Sequence, residues 1–148
     1  MANGKKNNLS EESPSVQAHL GILQNVIERM ATNSTSAKSW CITIVSAILV
    51  VVADKNKPDY ALISLLPAFL FLILDAYYLA MEKGFRNSYN SFVRKVHDDS
   101  LKADDLFSVN PTGSASSLQW EAFCSVSVWG FYSVLAIMIL LARYVLLD

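Results

Sequence analysis

The chain has 148 residues, of which 53% are apolar and 17% charged, and a formal net charge of −1. That length holds one domain at most, and the near-zero charge excludes the electrostatic footprint of a nucleic-acid-binding protein. An apolar share this high, gathered into continuous runs, also excludes an ordinary small soluble domain and points to a bilayer.

Residues 1–13 are polar and read as a disordered tail. No apolar stretch follows Lys5 and Lys6, so a cleavable signal peptide is not expected. Ser13-Pro14 opens the first element, serine as N-cap and proline at the first helical position. Val16, Leu20, Leu23, Ile27 and Met30 follow at spacings of 4, 3, 4 and 3, a seam of a and d positions. The count continues through Ser34, Ala37, Cys41, Ile44, Ile48 and Val51. The sequence therefore predicts one long N-terminal helix, with 14–36 an amphipathic cytoplasmic part and 37–53 the first span. Left without a cover, the seam predicts a homo-oligomer of about four to eight copies.

Asp54 to Asp59 is a short polar turn, which makes the next element the second arm of a helical hairpin. That arm, 60–81, is the strongest single signal in the chain: YALISLLPAFLFLILDAYYLAM is apolar except for Pro67 and Asp75. At about 1.5 Å per residue it covers the roughly 30 Å hydrocarbon core. A carboxylate inside such a span costs about 2.5–3.5 kcal/mol on insertion scales, so Asp75 needs a partner or a purpose. Lys38 and Ser39 lie at a similar depth on the first span and are the candidate partners. Pro67 is expected to kink the span and free the carbonyl of Ile63. Ser39, Thr43, Ser46 and Ala47 form a small, partly polar stripe that suits close helix packing or a narrow aqueous path.

Beyond the second span, Phe85, Tyr89, Phe92 and Val96 recur at spacings of 4, 3 and 4, predicting that 82–97 continues as a cytoplasmic amphipathic helix. The Val16–Met30 seam is the natural cover for that face, in the same chain or a neighbour. Residues 98–121 read as a cytoplasmic loop with a short helix near Leu101–Phe107, and 122–147 as the third span. Basic residues concentrate before the first span (Lys5, Lys6, Arg29, Lys38) and between the second and third (Lys83, Arg86, Arg94, Lys95, Lys102). The positive-inside rule then places the N-terminus and long loop in the cytoplasm and the C-terminus outside. The fold class expected is all-α, an integral membrane protein with three transmembrane helices.

His19 and His97 have no ligand-spaced cysteine or carboxylate beside them and read as surface residues. With no phosphate loop, nucleophile elbow or paired acid and base, neither an enzyme nor a metal or other cofactor is expected.

The segments Ile22–Cys41 (ILQNVIERMATNSTSAKSWC) and Leu74–Arg86 (LDAYYLAMEKGFR) resemble those of small bacterial membrane proteins found beside anti-phage immune genes. The resemblance implies a homo-oligomeric effector in the bacterial inner membrane. Such an effector permeabilises or depolarises that membrane when a cytoplasmic sensor or regulatory protein reports infection. Membrane lipids are the other expected partner, and nucleic acid is not contacted directly. A non-conducting scaffold or anchor subunit that recruits a cytoplasmic partner is the alternative.

Overall fold

A computed structural model describes residues 10–55 and 57–146. The expected tail thus falls mostly outside the described residues, as do Lys5, Lys6 and the last residue of the expected third span. Four α-helices carry the fold: α1 (Pro14–Lys55), α2 (Leu65–His97), α3 (Ala115–Phe123) and α4 (Val126–Leu141). Three helical stretches are long and apolar enough to cross a membrane: Pro14–Lys55, Pro58–His97 and Val126–Tyr144. The chain is all-α with three candidate spans, the first of them long and N-terminal.

Helix α1 runs unbroken for 42 residues, including the polar patch Thr32–Ser36. At about 1.5 Å per residue it is roughly 63 Å long, about twice the thickness of a bilayer's hydrocarbon core. Hydroxyls in and just after the patch are satisfied within the helix rather than breaking it: Thr35 Oγ1 donates to the Ala31 carbonyl at 3.2 Å and Ser39 Oγ to that of Thr35 at 3.2 Å.

Helices α1 and α2 lie antiparallel and are packed in two clusters. At the polar end, Val16 and Leu23 of α1 meet Phe85, Phe92 and Val96 of α2, flanked by Leu20, Ile27, Met30 and Tyr89. The seam and the α2 face expected to need a cover therefore cover each other within one chain. The unpaired seam that motivated an oligomer is absent. In the apolar stretches of the helices, Cys41 and Val45 of α1, Ala68 and Ala76 of α2, and Val128, Tyr132, Leu135 and Ile139 of α4 form the second cluster. Small residues on α2 let the backbones approach there, where no hydrophobic drive separates protein from lipid tails. The buried line on α1 runs Cys41, Val45, Val52, while Ile44 and Val51 are exposed. A strict heptad drifts about 20° per repeat on a straight helix, which moves the inward positions one residue along.

Three further expectations are corrected. The hairpin turn leads into a 3₁₀ segment, Pro58–Ser64, and α2 begins at Leu65. Pro67 therefore stands in the first turn of α2, where a missing N–H costs little. Residues 98–121 hold a 3₁₀ turn at Ala103–Asp105, inside the short helix expected near Leu101–Phe107, but they are not otherwise all loop: Ala115 onward is α3, with Leu118 reaching Gly84 of α2 and Ala122 wholly buried. The third span starts at Val126 rather than 122, because the chain breaks at Cys124–Ser125 and Ser125 Oγ caps the Ser127 amide at 3.3 Å.

Candidate functional site

The residues that sequence reasoning singled out divide between two faces of α1. On the inward face, Asp75 of α2 is wholly buried and meets Lys38, whose Nζ lies 2.6 Å from Asp75 Oδ2. Ser34 Oγ donates to Asp75 Oδ1 at 2.5 Å, and Lys38 Nζ donates to Ser34 Oγ at 3.3 Å. The Lys38 ammonium is the sole partner of Asp75 Oδ2 among the described residues. Ser34 and Lys38 are four residues apart on α1, so both reach the same carboxylate. A charge removed from water is tolerable only when paired and hydrogen-bonded. These three side chains meet that condition, and the side chain of Lys38 is 19% exposed, its long stem leading toward the polar end.

Of the two candidate partners for Asp75, Lys38 is correct and Ser39 is not. Ser34 was missed, though it lies on the extended seam and one turn before Lys38, which is signal enough. Tyr132 of α4 packs in the same apolar cluster, and its hydroxyl is buried with no hydrogen-bond partner among the described residues. Nothing in the sequence marks that hydroxyl.

On the outward face lie Thr32, Thr35, Ser36, Ser39, Thr43 and Ser46, all exposed. At 100° per residue, Thr35, Ser39, Thr43 and Ser46 fall within about 80° of arc, centred roughly 140° from the line Ser34–Cys41–Val45. Thr43 Oγ1 donates to the Ser39 carbonyl at 2.9 Å, continuing the back-bonded series. Ser39, Thr43 and Ser46 of the small-residue stripe are thus left exposed among the described residues. Pro67 lies near neither face.

At the polar end, the segment between α2 and α3 folds back over the α1–α2 seam. Leu101, Leu106 and Val109 pack on the Val16–Leu23–Phe92 cluster. Lys95 Nζ holds Asp105 Oδ1 at 2.6 Å, and the Lys102 amide donates to Asp105 Oδ2 at 3.0 Å. These bonds hold the Asp105 carboxyl below its ordinary range, the Lys95 hydrogen bond contributing most. Ser88 Oγ donates to the Asn110 carbonyl at 2.5 Å, and the Thr112 amide to that of Gly84 at 3.0 Å.

His19 is corrected from surface to core: it is 2% exposed, stacks on Phe92 with ring centroids 4.3 Å apart, and its Nδ1 accepts the Phe107 amide at 3.0 Å. Burial lowers its pKa below 6.5, and the charge of Asp105 opposes that shift more weakly. His97 is exposed, with Nε2 3.2 Å from Glu11 Oε1. Among the described residues no group of three or more His, Cys, Asp or Glu side chains is placed to hold a metal ion. Both cysteines are free, Cys41 buried and Cys124 exposed at the α3–α4 break.

No family model, curated protein or solved structure matches this chain.

Proposed function

We propose that the chain is a homo-oligomeric membrane protein that opens a narrow polar path across the bilayer. One observation carries this reading: the hydroxyl face of α1 points away from the chain's own core along a helix long and apolar enough to span. The hydroxyls of Ser39 and Thr43 are satisfied within their own helix, and the small side chains on this face let another helix approach closely. Several copies of α1 brought together on Ser39, Thr43 and Ser46 would bury that face or line water with it. A single protomer closes the Lys38–Asp75 pair among its own helices, so conduction requires assembly.

The basic residues flanking the spans support an orientation with the α1 N-terminus and the segment 82–121 in the cytoplasm and the C-terminus outside, in a bacterial inner membrane. Depolarisation of that membrane in anti-phage defence, on a signal from an upstream sensor, is the role implied by the resemblance of Ile22–Cys41 and Leu74–Arg86. The closed Lys38–Asp75 pair favours a second reading, a non-conducting scaffold that presents its extramembrane layer to a cytoplasmic partner.

The test is native mass measurement in lipid nanodiscs together with ion flux from liposomes, for the wild type and for a Ser39→Leu, Thr43→Leu, Ser46→Leu triple variant. The expected result is a wild-type oligomer that passes ions and a folded variant that does neither. A wild type that is monomeric in lipid defeats the reading. An oligomer that passes no ions selects the scaffold.

A further inference from the structure

We propose that the segment joining α2 to α3 is a pH-released strap over the N-terminal seam of α1, with the neutral His19 imidazole as its latch. The inference concerns the extramembrane layer alone and holds whether or not the chain conducts.

The strap has two kinds of hold on α1. Leu101, Leu106 and Val109 lie on the seam and exclude water from it. A single polar bond then joins the strap's tip to α1, from the Phe107 amide to His19 Nδ1 at 3.0 Å. An imidazole nitrogen that accepts an N–H carries no proton, so the latch exists only in the neutral ring, whose proton sits on Nε2. Protonation places an N–H opposite the Phe107 N–H. The acceptor is lost, and a positive charge is created at a side chain that is 2% exposed.

The strap is also held in a conformation that the latch helps to maintain. Phe107 has φ of 63°, a left-handed backbone that a bulky residue leaves when free to do so. Phe107 is 61% exposed and its ring meets His19 edge-on with centroids 6.3 Å apart, so side-chain packing beyond the latch itself does little to enforce that geometry. Opening relieves the backbone and returns His19 to water.

Among the described residues, three charged side chains line the cleft with His19. From α2, Lys95 lines the cleft beside His19; from the 3₁₀ turn, Asp104 and Asp105 do so. Asp105 favours the imidazolium, and so does the Phe92 ring face, but Lys95 at 2.6 Å neutralises much of the Asp105 charge. Glu11 is engaged with His97. Burial outweighs these and lowers the His19 pKa from 6.5. The closed strap therefore binds fewer protons than the open one. Its stability is constant above the ordinary histidine pKa and falls with acidification below it, the opening equilibrium rising up to tenfold per pH unit until the closed-state pKa is passed.

The experiment is hydrogen exchange of the Phe107 amide in the full chain in lipid nanodiscs between pH 7.5 and 5, corrected for intrinsic exchange. Helix α2 amides between Ser88 and Val93 serve as the internal reference. The expected result is a Phe107 protection factor that is flat above pH ~7 and drops up to about tenfold per unit below ~6.5, with the reference unchanged. His19→Asn, which keeps an acceptor near the Nδ1 position, should remove the pH dependence; His97→Gln should keep it. Flat wild-type protection overturns the proposal. So does parallel loss in the reference amides, or a transition that survives His19→Asn.

Discussion

Replacing Lys38 by Met and Asp75 by Leu, singly and together, tests the buried pair directly. Removing Lys38 leaves a carboxylate of zero exposure with Ser34 as its one remaining donor. Breaking a buried pair from one side costs about 3–5 kcal/mol, and Lys38→Met should fall in that range. Asp75→Leu strands the cation instead, but the Lys38 side chain is 19% exposed and can carry its ammonium toward the polar end. Its cost should be about half as large, ~1–3 kcal/mol. The double replacement leaves no charge in the layer and should lie within about 1 kcal/mol of the wild type or above it, since apolar substitutes for buried pairs are often neutral or stabilising. The assay is reversible unfolding in mixed micelles, followed by near-ultraviolet circular dichroism of the three tryptophans. Single variants that each cost under about 1 kcal/mol and simply add in the double variant would refute the reasoning, because independent sites show no coupling.

Further outcomes follow from the same geometry. Gly84→Ala would place a Cβ 2.7 Å from Pro111 Cβ, so it should cost about 1–3 kcal/mol and raise hydrogen exchange in 108–118, with α1 unaffected. Pro67→Ala should shift stability by under about 1 kcal/mol, read as a small change in Tm, because the proline occupies a first-turn position. The Lys95–Asp105 pair contributes stability above the ordinary carboxylate range that is lost as pH falls through the lowered Asp105 value. Lys95→Met should therefore narrow the difference from wild type only below about pH 4, well under the window in which His19 titrates.

The fold class was legible because apolar periodicity is long-range information written locally. Val16 to Met30 and Phe85 to Val96 each announce a face, and two complementary faces in one chain satisfy each other. What the spacing could not say was that the cover came from the same chain, so the seam suggested an oligomer it does not need. His19 carried a readable signal: it falls three residues after Val16 and four before Leu23, squarely on the seam. Treating histidine as polar by default hid it. Ser34 was hidden in the same way. Helix α3 was not legible, because ASSLQWEAF owes its helix to contacts of Leu118 and Ala122 with α2, and its polar residues read as loop. Pro67 was misplaced by a boundary: a 3₁₀ entry shifts the α-helical start to Leu65, which moves the proline from mid-span into a first turn.

The position of the Lys38–Asp75 pair has a consequence for how the chain enters its membrane. The two charges lie on successive arms of one hairpin, joined by a short polar turn. Each arm alone carries an ion across an insertion machinery at a cost of about 2.5–3.5 kcal/mol near the bilayer centre. Paired before release into lipid, they offset one another. The hairpin is therefore expected to partition as a unit once the second arm has been synthesised, rather than helix by helix. A nascent chain arrested before Asp75 emerges should be held at the protein-conducting channel and remain crosslinkable there, whereas one extended past His97 should be released.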